Sequence, residues 1–176
     1  MNRIFTPMRK NGFLQLVFGV IALWMVSPAM AQNESIVTLA GNAYITSGHT
    51  AFIDEGHSAI RNWSDKETVI SFYFRTNESG QMKIALQAKG KSQIEVSLLG
   101  KKKKVTLNSN AMSRIELGTF KVKNPGYVKM DVRGVKINEG SDFGTIESVI
   151  VGGNVSPVVC VTSDFSSHFG RRGPSV

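Results

Sequence analysis

His49, Asp54, Glu55 and His57 are the densest group of ligand-capable side chains in the chain. Two imidazoles and two carboxylates could fill a zinc shell, but their spacing matches no familiar site and the histidines have no helical pairing. Gly48 before the group and Gly56 within it mark it as a solvated loop, so no metal site is expected. Glycoside hydrolysis would need two carboxylates roughly 5 to 10 Å apart across a cleft, and no pair in the sequence stands out for that role. There is no nucleophile elbow, phosphate loop or zinc-protease motif. No catalytic residue is therefore named, and the chain is not expected to be an enzyme by itself.

The aromatic residues suggest a different chemistry. Sugar rings stack their C–H faces on aromatic planes while adjacent polar groups bond the hydroxyls. Trp63 lies in Arg61-Asn62-Trp63-Ser64-Asp65, so Arg61 and Asn62 could bond the hydroxyls of a sugar stacked on the indole. The competing reading is a tryptophan that covers one end of the fold. Tyr44, Tyr73 and Phe143 are the further candidates. Tyr73 is out of phase with Phe72 and Phe74, which points it outward, and Phe143 follows Ser141-Asp142 in a loop.

Strands must position these residues, because the hydrophobic pattern has period two. Ile70, Phe72 and Phe74 alternate with Ser71, Tyr73 and Arg75. Met82, Ile84, Leu86 and Ala88 alternate with polar neighbours, and Asn77-Glu78-Ser79-Gly80 joins the two runs as a hairpin. Short runs follow at 94–98, 105–107, 115–117 and 120–122. After the Asn124-Pro125-Gly126 turn, Val128, Met130 and Val132 alternate with Lys129, Asp131 and Arg133, and a last run spans 145–151. Many short strands that each bury one face predict an all-β fold, an antiparallel β-sandwich of jelly-roll form.

The termini bear on compartment and domain organisation. Arg3, Arg9 and Lys10 precede an apolar run over 12–26 and the small-x-small triplet Ala29-Met30-Ala31, the three parts of a secretory signal peptide. The expected division is a signal peptide at 1–31, a β-sandwich domain at 32–154 and a tail at 155–176. The product is expected in the periplasm or outside the cell, touching a membrane only through the cleaved signal. Removing the signal leaves 145 residues and lowers the net charge from +8 to +5, since three of 21 basic and none of 13 acidic residues lie there. Lys101 to Lys104 fall where a hairpin turn is expected and read as solvated, and no nucleic-acid partner is expected. Cys160 is the only cysteine, which excludes an intrachain disulfide and reads as a small buried apolar residue.

Gly41-Asn42-Ala43-Tyr44-Ile45, Trp63, Phe72-Tyr73-Phe74-Arg75, Gly126-Tyr127-Val128-Lys129-Met130-Asp131 and Phe143, in that order, resemble the domain of unknown function 5077 family. These are exported domains of polysaccharide-degrading Bacteroidetes whose pattern is similar to that of carbohydrate-binding modules with a galactose-binding-like jelly roll. Asp164-Phe165 and the run from His168 to Val176 resemble the opening of a second family, domain of unknown function 3472, cut short here. The tail is then expected to be poorly ordered. Related sugar-binding sandwiches hold a structural calcium with carboxylates of a glutamate-rich first strand and of the last strand. Here the first strand reads Ile36-Val37-Thr38-Leu39-Ala40, and Glu34, Asp142 and Glu147 do not assemble the six to eight oxygens that calcium takes. No cofactor is expected. The resemblance implies a module that binds a polysaccharide or glycan and positions a neighbouring domain. The alternative is a structural domain that supports a C-terminal partner without binding sugar.

Overall fold

A computed structural model describes residues 33–48, 50–54, 56 and 58–162. The period-two runs form nine strands, and no helix occurs among the described residues. They are β1 (Ser35–Thr38), β2 (Ala43–Ser47), β3 (Phe52–Ile53), β4 (Ile60–Arg61), β5 (Val69–Thr76), β6 (Gly80–Leu98), β7 (Lys101–Val122), β8 (Gly126–Ile137) and β9 (Thr145–Gly153). All pairings are antiparallel.

The fold is a jelly-roll sandwich made by bending one hairpin across both layers. The first half of β6 pairs with β9 over 82–89, and its second half pairs with β8 over 92–98. β7 follows β6 along its whole length. One layer is therefore β1-β9-β6-β7, the other β2-β5-β8-β6-β7, with β6 and β7 shared. The hairpin runs continue where separate short strands were expected, because irregularities at Ile84/Ala85, where β7 carries an extra residue, and at Ala88/Gly90 bend the hairpin without ending it. Gly90 has φ +153, and a side chain there would meet the backbone of Phe143 and Gly144.

The turn of this hairpin is Leu99-Gly100, both at positive φ, which matches a two-residue type I′ connection. Lys101 to Lys104 therefore open β7 and are not the turn itself; all four are exposed. Lys103 stands opposite buried Val96, and its ammonium donates to the carbonyl of Leu117 at 2.7 Å in the far half of the same strand. A charge placed this way satisfies an acceptor on an otherwise unpaired edge and discourages edge-to-edge association.

One continuous cluster fills the space between the layers, including Val37, Ile70, Phe72, Phe74, Ile84, Leu86, Ile94, Met130, Val132 and Val149. Residues 155–161, expected in the tail, are instead tied to the sandwich. Arg75 and Val159 exchange both backbone bonds at 2.8 Å, and Val158 N–H donates to Ser35 Oγ. The Asn42 amide donates to the carbonyls of Thr38, Ala40 and Val161 and accepts from Val161 N–H. The expected signal peptide at 1–31 and the expected tail from residue 163 lie outside the described residues.

Candidate functional site

Trp63 is fully buried, which corrects its expected role as a sugar platform. Its ring packs against Phe143, also fully buried, with centroids 5.3 Å apart and planes at 46°. The N–H of Phe143 donates to the carbonyl of Trp63 at 2.7 Å, and Ser92 Oγ donates to the carbonyl of Phe143 at 2.6 Å. A side chain at Gly134 would collide with the Phe143 ring, so the absence of one there lets the ring approach β8 closely. Neither ring has a face for a ligand. Together they close the core, the capping role that competed with stacking for Trp63.

Arg61 and Asn62 do not join the remaining candidates either. Arg61 ends β4 in the separate β3–β4 sheet and pairs with Asp54 at 3.4 Å. Asn62 is held at φ 53 and donates from its amide to the carbonyl of Thr50. Of the ligand-capable group read as a solvated loop, His49, Glu55 and His57 lie outside the described residues. Asp54 caps its own loop by accepting from the N–H groups of Ser58 and Ala59.

Tyr44 and Tyr73 do come together. They stand on the outer face of the β2-β5-β8 layer, edge to face, with centroids 5.9 Å apart at 69°. The register sets what surrounds them. Tyr44 is opposite Ser71, Ser71 opposite Asp131, Asp131 opposite Ser97, and Ser97 opposite Lys102, one outward row across five strands. Tyr73 faces Lys129 across the next pair, and Tyr127, 57% exposed, lies diagonal to it on the same face. Ser71 Oγ donates to Asp131 Oδ1 at 2.6 Å, the Lys129 ammonium reaches the same oxygen at 3.0 Å, and the Thr46 hydroxyl lies 2.9 Å from that of Ser71. The Asp131 carboxylate beside it holds the Lys129 ammonium above its ordinary pKa. Such a face offers aromatic C–H acceptors next to fixed donors and acceptors. Tyr127, Lys129 and Asp131 were not picked as site residues from sequence, although their phase opposite Val128 and Met130 already put them outside.

The opposite layer presents a different surface. Ile36, 60% exposed, lies over a groove of about 270 Å³ with Thr38, Gln87, Ser148 and Ile150. At its margin Arg114 reaches Glu34 through two bonds, 2.7 and 2.8 Å, and Glu116 through a third at 2.6 Å. That donor set does not fit a calcium ion: both oxygens of Glu34 are taken by a guanidinium, and Asp142 accepts from Gly144 N–H in its own loop. Among the described residues no group of three or more histidine, cysteine or acidic side chains could hold a metal. Burial pushes the Cys160 thiol up, away from the range of a reactive nucleophile.

The same architecture occurs in solved carbohydrate-binding modules. A family 35 carbohydrate binding module from an environmental isolate matches with TM-score 0.53 and 10% identity, covering 73% of this chain and 98% of that one. The family 35 module from Paenibacillus barcinonensis matches with TM-score 0.51 and 9% identity, covering 68% and 99%. A Podospora anserina GH26-CBM35 beta-(1,4)-mannanase matches with TM-score 0.52 and 10% identity over 71% of this chain, which spans only 29% of that enzyme. Identities this low establish a shared fold. No curated protein matches the sequence. The family model for a domain of unknown function (DUF5077) matches residues 37–156, and the chain belongs to that family.

Proposed function

We propose that this chain is an exported, non-catalytic module that binds a glycan on the outer face of the β2-β5-β8 layer and so positions a neighbouring domain. One observation carries the reading: the Tyr44–Tyr73 pair stands directly beside the Ser71–Asp131–Lys129 bonding chain. Two phenol rings in T-shaped contact supply apolar area, and the carboxylate and ammonium supply an acceptor and donors for hydroxyls. The solved matches described as carbohydrate binding modules, aligned over nearly their whole length, support the reading, as does the mannanase match, in which only 29% of the enzyme has the shared fold. The basic, apolar and small-residue parts of 1–31 support export.

The test is a screen of the purified chain on a broad polysaccharide and glycan array, with Tyr73→Ala checked for folding as the control. Binding by the parent that the folded variant loses supports the proposal; absence of binding to every glycan contradicts it. A second reading, a structural domain that docks a protein partner, rests on Ile36 and Val159. They are 60% and 51% exposed, and the groove lined by Ile36 has no aromatic residue. A stable complex with a neighbouring domain that Ile36→Asp abolishes would favour that reading.

A further inference from the structure

A second groove, of about 260 Å³, indents the same outer face as the tyrosines, lined in part by Lys66, Glu95, Lys104 and Arg133. Its place follows from register: Val69, Arg133, Glu95 and Lys104 stand opposite one another in turn, one outward row beyond Tyr44, Ser71, Asp131 and Ser97. Outward rows are two residues apart along a strand, about 7 Å, so Arg133 lies one row from Tyr44 and two rows, about 14 Å, from Tyr73, with Lys104 two strands further across the sheet, a span that a chain molecule of several rings can bridge. The volume is below the roughly 300 Å³ at which enclosed small-molecule sites begin, so the groove takes part of a longer ligand.

Glu95 is nearly buried; its Oε1 accepts from Nε of Arg133 at 3.0 Å and lies 2.7 Å from Nη2 of the same guanidinium. Both contacts converge on one carboxylate oxygen and hold Arg133 on the groove lining. Glu95 also lies 3.9 Å from the Lys102 ammonium. Among the described residues Lys66 and Lys104 have no ion pair, so Glu95 offsets only part of the positive charge, and Glu67 is the only other acid on the lining. A neutral sugar laid here would strip water from cations and return no charge, whereas an acid group would complete the pairing.

Resting on the glycan-binding reading, we infer that the ligand is an anionic saccharide chain, whose carboxylate or sulfate ester sits between Lys66, Lys104 and Arg133 while another ring of the same chain meets Tyr44 and Tyr73. The test titrates the purified chain with polygalacturonate, dextran sulfate, neutral pullulan and polyglutamate, alongside Lys104→Gln and Tyr73→Ala, with thermal unfolding as the fold control. The inference predicts binding to polygalacturonate or dextran sulfate, and whichever binds identifies the acid group. Lys104→Gln should weaken it about tenfold, and raised salt should weaken it further. Pullulan binding that is lost in Tyr73→Ala but untouched by Lys104→Gln overturns the acid group and leaves the glycan reading standing. Polyglutamate binding as tight as that of the acidic saccharides overturns saccharide recognition in the groove, and no binding to any saccharide removes both readings.

Discussion

The ring of Phe143 lies against that of Trp63 at 5.3 Å, and its N–H donates to the Trp63 carbonyl, so the loop before β9 is fastened to the loop before β5 by one apolar and one polar contact. This pair closes the core next to β8, the strand that carries Tyr127, Lys129 and Asp131 on its outer side. The fold's largest described aromatic residue thus packs on the inner side of the layer that bears the proposed binding face.

Trp63→Ala should accordingly cost stability, about 3–5 kcal/mol for a large aromatic deleted from a filled core. Gly134→Ala should cost about 1–3 kcal/mol, because its methyl group would enter the space of the Phe143 ring. Urea unfolding followed by tryptophan fluorescence for Gly134→Ala, and by circular dichroism for Trp63→Ala, measures both. A loss below 1 kcal/mol in each would show that the pair is not a core contact.

Asn42 is buried, and its amide spans from the β1–β2 turn to Val161. Asn42→Ala would leave several buried backbone groups without partners, at a cost of about 1–3 kcal/mol. The Val161 amide, which donates to Asn42 Oδ1, should exchange hydrogen faster in the variant. Unchanged exchange there would mean that the segment after β9 is held by its other bonds alone.

Glu34 and Arg114 are both more than a third exposed, so the pair should contribute less than about 1 kcal/mol. Hydrogen bonding to Arg114 is the main reason that the Glu34 carboxyl lies below its ordinary value of 4.5. The contribution is complete above that unfolded-state value and is lost as pH falls through the lower folded one. The stability gap between the parent and Arg114→Gln, measured by urea unfolding, should therefore be present at neutral pH and shrink as pH falls below 4.5. A gap that widens toward acid would contradict this assignment.

Much of the fold is legible in the residue pattern. The alternation from Ile70 to Arg75, the turn at 77–80 and the alternation from Met82 to Ala88 correspond to β5, its turn and the start of β6. The continuity of β6 past Gly90 was not legible, because glycine between lysines has the composition of a turn, and only pairing with β7, β8 and β9 keeps the strand intact through its bulges. Tyr73's outward direction follows from period two alone. Trp63 has no such phase, since it sits between strands, and only the tertiary packing of Phe143 shows which way it faces. The acidic partner of Arg133 was hidden for a related reason: Glu95 is 38 positions away and adjacent only through the β6–β8 register.

The central claim is that ligand binds the tyrosine-bearing outer face. Amide chemical shifts of the labelled chain should be followed by NMR as an array-selected oligosaccharide is added. The account predicts changes concentrated at Tyr44, Ser71, Tyr73, Lys129 and Asp131, with the Ile36–Ile150 groove unmoved. Changes centred on that opposite groove, or none at saturating oligosaccharide, would contradict it.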